Sequence, residues 1–342
     1  MLGWVVPLLA AYIKEQGHDA DSILQLPGIR GRDLKDPDLR VPEDASREAW
    51  RLAMTMTNDE AIGLHVAQWM PRGSLDLIEY AFRSSATLGD GLARLARYGR
   101  LINDRLAGHV LQTGPVPGVR FLMGVADARP LHPQRAEFSI ALALRLARDG
   151  TSSQLVPVEV TFTHAAPADS TEHRAFFRSP IHFSSGVNGL VFSDADGARV
   201  LRAADPPLVA VIQRHLDKAL AALDKLEGAT DPATSTSVAA RVRRLLFDRM
   251  GQEQQSVGTI GRELGLSART LSRRLAEEGT SFRDIQDQVR HQLAVALLAD
   301  TNVSISEVAF FLGYAEPAPF HRSFKRWTGT TPQAHRRAIG EG

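Results

Sequence analysis

IGRELGLSARTLSRRL, residues 260–275, and VAFFLGYAEPAPFHRSF, residues 308–324, are two versions of one pattern. Each carries a small residue four positions before a glycine: Gly261 before Gly265, and Ala309 before Gly313. Two helices crossing at about 100° must approach closely at such a position, and a larger side chain would push them apart. The glycine takes a positive φ without a Cβ clash. Leu264 and Leu266 flank the first glycine, and Leu312 and Tyr314 flank the second, so each angle between helices has apolar plugs. Ser267 is a good N-cap for the next helix. Leu271 and Leu275 then point inward at an i, i+4 spacing, and Phe320 and Phe324 do the same after a turn one residue longer. A single match of this kind is common among helical hairpins. Two matches whose glycines lie 48 residues apart are far more specific, and they imply a pair of helix-turn-helix units.

Between the two units, Phe282, Ile285, Val289, Leu293, Ala296 and Leu297 recur at steps of three or four and define a long joining helix over 282–299. Val238–Met250 repeats the pattern and forms the entry helix. The C-terminal part therefore reads as all-α. The outer face of the first second-helix carries Arg269, Thr270, Ser272, Arg273 and Arg274. That of the second carries Pro317, Ala318, Pro319, His321, Arg322, Lys325 and Arg326. Guanidinium groups on one exposed helix face suit guanine edges and phosphates, so these are the candidate DNA-binding residues. A solvated charged face is the alternative for either helix taken alone.

Charge is distributed in the same sense. Residues 1–233 hold 25 Lys and Arg against 28 Asp and Glu, and residues 234–342 hold 15 against 11, although the whole chain is near neutrality at +1. A basic C-terminal module on a mildly acidic partner fits polyanion binding. The stretch 227–237, rich in Gly, Thr, Ser and Ala, reads as a linker. It divides the 342 residues into an N-terminal domain, 1–226, and a C-terminal domain, 238–342.

The N-terminal domain reads as α+β, helices with a small β-sheet. Helices are expected at Trp4–Gln16, Arg47–Met56, Asp76–Arg83, Leu88–Asp104, Pro133–Arg148 and Pro207–Lys225. Strands are expected at His109–Thr113, Val119–Val125, Val158–Thr163 and Gly189–Phe192, where VEVTFTH alternates apolar and polar residues. Phe176, Phe177, Ile181 and Phe183 form an aromatic-apolar cluster expected in the core around a short strand. The apolar opening, Leu2–Tyr12, is too short to span a bilayer and lacks a charged start, so no membrane segment or signal peptide is expected.

With no cysteine in the chain, disulfides, thiolate metal sites and cysteine nucleophiles are excluded. No GxSxG, HExxH, P-loop or GxGxxG pattern occurs, and no enzymatic activity is expected. His164, His173 and His182 recur every nine residues, a spacing that matches no helix face or compact metal loop. No metal and no cofactor are expected.

LGLSARTLSRRL (264–275), GTSF (279–282), ISEVAFFLGY (305–314), FHRSFKRWTGTTP (320–332) and His335-Arg336 resemble the DNA-binding domain of AraC-type regulators. The resemblance implies two helix-turn-helix units entering successive major-groove segments, with Arg269, Ser272 and Arg273 facing bases in the first. Pro317, Ala318, Pro319 and Arg322 occupy the base-facing positions of the second, but three of these four offer no side-chain hydrogen bond. Sequence reading is therefore expected mainly from the first unit, with the second positioning the protein on phosphates.

The segments 73–106, VEVTFTH (158–164) and RAFFRSPIHFSSGVNGLVFSDA (174–195) resemble the effector domain of the subgroup typified by the ornithine-utilisation regulator, distinct from a cupin-like sugar pocket. This implies a cytoplasmic bacterial transcription regulator, an activator that answers a small-molecule effector. Its partners are double-stranded DNA, RNA polymerase and a second copy in a homodimer. Tyr98, Arg135, Glu137 and His164 are the candidate ligand-binding residues. The alternative is a regulator whose N-terminal domain only dimerises or binds a protein.

Overall fold

The computed structural model describes residues 5–33, 40–103, 106–111, 118–125, 131–229, 238–248, 255–299 and 304–340. The N-terminal part opens with six helices: α1 (Val5–Glu15), α2 (Asp21–Leu24), α3 (Glu43–Thr57), α4 (Ile62–Trp69), α5 (Leu77–Arg83) and α6 (Leu88–Ile102). A hairpin of β1 (Leu106–Leu111) and β2 (Val119–Val125) comes next. It is followed by α7 (Pro133–Thr151), β3 (Glu159–Thr161), α8 (Thr171–Phe177), β4 (Ile181–His182), β5 (Asn188–Phe192), α9 (Asp194–Gly197) and α10 (Pro206–Ala229). The C-terminal part is helical: α11 (Val238–Asp248), α12 (Val257–Glu263), α13 (Ala268–Glu277), α14 (Phe282–Ala299), α15 (Ile305–Phe311), α16 (Pro317–Thr328) and α17 (Pro332–Gly340).

The strands form one five-stranded sheet in the order β1-β2-β5-β3-β4. All pairs are antiparallel except β3 with β4. β2 lies between β1 and β5, and on β5 its Phe121 pairs with Leu190 and its Leu122 with Gly189. Among the described residues the sheet remains open, ending at β1 and β4.

Local chemistry sets the element ends. The Thr87 hydroxyl accepts the Asp90 amide at 3.2 Å and starts α6, whose Leu88, Leu92, Leu95 and Tyr98 form a buried stripe. α7 begins at Pro133, where the missing N–H costs nothing, and ends on left-handed Ser152. α4 and α7 cross closely, since a Cβ on Gly63 would lie 2.2 Å from the Gln134 carbonyl oxygen.

Several elements differ from expectation. α3 begins at Glu43, four residues early, because Pro42 and the acidic Glu43 and Asp44 favour an N-terminal turn. α2, α4, α8, α9, α17 and the two-residue β4 are additional to the expected elements. α8 takes up Phe176 and Phe177, while Ile181 lies in β4. α10 runs to Ala229, three residues into the expected linker, carrying Gly228 in its last turn and stopping short of Pro232. Residues 230–237 of that linker, and the expected element ends Trp4, Asp104, 112–113 and 249–250, lie outside the described residues.

Two apolar cores result. One fills the N-terminal domain around α1 to α7, β2 and β5. The other joins α11 to α16, and Leu122 of β2 and Val187 before β5 are buried in it. The sheet therefore lies directly against the helical C-terminal part.

Candidate nucleic-acid interface and sensor-domain site

Through the first helix and the turn, the two helix-turn-helix units repeat each other bond for bond at a 48-residue offset. Ser256 and Thr259 form a capping box at the start of α12, and Ser304 and Glu307 form one at the start of α15. In the first turn the Gly265 amide donates to Arg262 at 3.1 Å and the Leu266 amide to Gly261 at 2.8 Å. In the second, Gly313 donates to Phe310 and Tyr314 to Ala309, both at 3.0 Å. Gly265 and Gly313 have φ of +68° and +79°, where a Cβ is disfavoured. At Gly261 a Cβ would meet the Leu266 carbonyl oxygen at 2.8 Å, the close approach expected of the small residue.

Ser267 caps α13 by accepting the Thr270 amide at 3.1 Å. Leu271 and Leu275 are fully buried, as are Phe320 and Phe324 of α16. This leaves Arg269, Ser272, Arg273 and Arg274 exposed on α13, with Thr270 half-buried. On α16, Ala318, Arg322, Lys325 and Arg326 are exposed and Pro317, Pro319 and His321 half-buried. Arg273 is held by Glu277 one turn on, Nη1 to Oε1 at 2.6 Å, with both side chains more than half exposed. Arg326 pairs with Asp287 of α14 at 2.7 Å. That contact ties α16 to the long helix, a role the sequence did not suggest.

Three further supports were not legible in the sequence. Arg290 of α14 donates Nε to the Leu312 carbonyl at 3.1 Å, and its guanidinium lies 4.8 Å from the centre of the Tyr314 ring, clasping the second turn. Arg336 donates to the Leu298 carbonyl at 3.1 Å and fastens α17. The Glu278 carboxylate, just past α13, accepts the first two amides of α11, Val238 at 2.7 Å and Ala239 at 2.9 Å. An anion at a helix N-terminus is favourable, so α11 is docked onto the end of α13. His291 and His335 pack around Phe324 and Trp327, and burial lowers the pKa of both.

In the N-terminal domain the four candidate ligand residues do not converge. Tyr98 is fully buried and donates its hydroxyl to Asp217 at 2.8 Å. Burial first, and that carboxylate second, raise its pKa to about 12. Arg135 bridges α7 to α3 through Glu43 at 2.9 Å. Glu137 and His164 do meet, together with His173. The Glu137 Oε1 lies 3.4 Å from His164 Nε2 and 3.0 Å from His173 Nε2, all three side chains being mostly buried. Phe162 and Phe183 pack against the imidazoles, and Phe177 packs against Phe162. Nearby His132 has its pKa lowered to about 4, chiefly by burial and then by Arg47. His182 stands apart beside Glu159 at 3.8 Å. Among the described residues no group of three or more His, Asp or Glu is arranged to hold a metal.

The same domain holds an apolar cavity of about 60 Å³, between α6, β2 and α7. Ser139 is its one polar side chain among the described residues, and that hydroxyl donates to the Arg135 carbonyl at 3.0 Å. Helix stripes and strand alternation each point to a buried face, but not to a gap between two of them, so this cavity escaped the sequence. No helix among the described residues is long and apolar enough to cross a membrane.

Comparison with known proteins matches two family models to the chain. One is described as the arabinose-binding domain of AraC transcription regulator, N-term, over residues 17–201, and the other as a helix-turn-helix domain, over residues 260–338. The ornithine utilization regulator of Pseudomonas aeruginosa is 27% identical over 330 residues, covering 95% of this chain and 93% of the relative. The regulator VirS of Mycobacterium tuberculosis is 29% identical over 275 residues, 80% of this chain and 78% of the relative. Among solved structures, the transcriptional regulator CdpR from Pseudomonas aeruginosa aligns over 97% of both chains, with a TM-score of 0.45 and 20% identity.

Proposed function

The chain belongs to the AraC-type family of transcription regulators, and on that basis we propose how its parts divide the work. Residues 238–342 bind an asymmetric double-stranded DNA site through two successive major-groove segments. Residues 1–226 sense a small-molecule effector and dimerise. The observation that carries this reading is the pair of matched turns at a 48-residue offset, each presenting a cationic second helix.

In the first unit Arg269, Ser272 and Arg273 read base edges, flanked by Thr270 and Arg274. In the second, Pro317, Ala318 and Pro319 have no side-chain donor, and their recognition is limited to apolar contact with thymine methyls. Arg322, Lys325 and His321 hold phosphates there. Arg326 joins them only by giving up Asp287. Effector binding raises contact with RNA polymerase at the promoter, so the chain acts as an activator in the cytoplasm. No catalytic step is part of this reading.

Footprinting on the DNA flanking its own gene tests the proposal, with wild type and Arg273→Ala side by side at a stated salt concentration. Protection of about two helical turns, lost in the variant, is the expected result. No protection at low salt, followed by failure of selection from random sequence, would remove the DNA-binding reading. A metabolite screen by thermal shift that finds no stabilising compound would favour a domain that only dimerises.

A further inference from the structure

We infer that the apolar cavity between α6, β2 and α7 is the effector site, that its occupant is a thin alkyl chain, and that β2 carries the signal to the DNA-binding domain. This deepens the effector-sensing reading above and rests on it.

The cavity's character follows from its walls. Ala96 and Gly99 are the small residues of α6 that leave the space, and Leu95 and Ile102 close it above and below them on the same helix. Phe121 and Met123 form the wall from β2, and Phe138 lines it from α7. With the Ser139 proton already committed to a carbonyl, the lining offers a charge one neutral hydroxyl oxygen and no charged side chain. A carboxylate would find no side-chain donor there and an ammonium a single neutral acceptor, and burying either in an apolar site is strongly disfavoured. Size adds a second constraint. At about 60 Å³ the space is well below the roughly 150 Å³ of an apolar cavity that takes up benzene. An unbranched chain is the shape that enters with least displacement of the walls: even it exceeds the space and must push lining side chains such as Phe121 and Met123 aside, with any polar head left at the mouth.

The coupling follows from strand alternation. Successive side chains of β2 point to opposite faces. Phe121 and Met123 line the cavity on one face. Arg120 and Leu122 lie on the other, where they line a narrow crevice with Leu297 of α14, and Leu122 is 4% exposed within the core of the DNA-binding domain. No intervening layer separates effector from output: the residue between the two cavity-lining side chains belongs to the core that positions both helix-turn-helix units. A ligand that displaces Phe121 or Met123 moves the backbone carrying Leu122. Packed cores respond to such shifts by repacking, not by continuous yielding.

The test uses the full chain with methionine methyl groups labelled with carbon-13, the Met123 resonance being assigned from Met123→Leu. The probes are 1-hexanol and 1,6-diaminohexane, alike in thickness, the second charged at both ends. DNA affinity is read by fluorescence anisotropy on a duplex selected from random sequence. We expect 1-hexanol to shift the Met123 resonance and to change DNA affinity about fivefold or more, and the diamine to do neither. Ala96→Leu fills the cavity and should abolish both effects. Leu122→Ala should keep the Met123 shift and lose the change in DNA affinity, which separates coupling from binding. The inference is overturned if 1-hexanol leaves Met123 unmoved, if the diamine binds as well, or if hexanol binding leaves DNA affinity unchanged. The Met123 resonance reports on the cavity whether or not DNA binds, so failure of the DNA-binding reading would show separately, as loss of affinity with no probe present.

Discussion

If α13 reads DNA as proposed, Arg273 and Glu277 make opposite demands on it, and replacing each in turn gives a signed prediction. Arg273 is exposed on α13 and donates to Glu277 at 2.6 Å, with side-chain exposures of 65% and 57%. Exposed pairs of this kind are worth about 0.2–1 kcal/mol. A bidentate contact from arginine to a guanine edge is worth roughly 1–3 kcal/mol of discrimination. In the proposed reading the guanidinium leaves Glu277 for DNA at a small cost. Arg273→Ala should lower the ratio of specific to non-specific affinity by about 5- to 150-fold. Glu277→Ala removes both the competitor and a negative charge near the phosphates. It should tighten binding by roughly 1.4- to 5-fold, the same 0.2–1 kcal/mol recovered. The assay is fluorescence anisotropy at fixed salt, on the selected duplex and on a scrambled one. If Arg273→Ala leaves the ratio unchanged, or Glu277→Ala weakens binding, then Arg273 does not read a base and the orientation assigned to α13 is wrong.

Other outcomes follow from the same geometry. Lys325→Ala should weaken binding to all duplexes alike and reduce the salt slope by about 0.9, measured as log affinity against log salt. Arg326→Ala should change that slope less, because Asp287 already engages it at 2.7 Å. Gly261→Val should disrupt the first unit, since a Cβ there meets a backbone oxygen at 2.8 Å, whereas Gly265→Ala, in open space at φ +68°, should cost only about 1 kcal/mol in chemical denaturation. His132 ties stability to pH. Its folded pKa of about 4 lies below the ordinary 6.5, so the unfolded chain takes up the proton first and stability falls as pH drops from 6.5 toward 4. Denaturation midpoints of His132→Asn across that window should fall less than those of wild type. His65 acts in the opposite sense: the hydrogen bond it donates to the Asp59 carboxylate raises its pKa, and its contribution is lost as pH rises through that value.

The helix-turn-helix pair was legible because its signals are local. A glycine at positive φ, a small residue one turn earlier and an i, i+4 apolar pair each act within about sixteen residues. The limits of β2 and α14 were legible for the same reason, as continuous periodicities that end where the element ends. α4 was missed because most of its length is buried against α7, which leaves no polar face to reveal a period. β4 was missed because two residues carry no periodicity, and its parallel pairing with β3 is a long-range event.

The all-helical C-terminal domain, its paired turns and the cationic faces of its second helices could be read from the chain alone, because each depends on residues no more than a few turns apart. What the N-terminal side chains do is set by packing between distant segments. Tyr98 and Arg135 became cross-links to Asp217 and Glu43, which lie 119 and 92 residues away in the chain. His164 and His173 met at Glu137 although nothing in their nine-residue spacing announced it. The cavity, and the strand that joins it to the DNA-binding core, exist only where α6, β2, α7 and α14 pack together. A gap between elements is set by how whole faces fit, and no single stretch of chain contains that information.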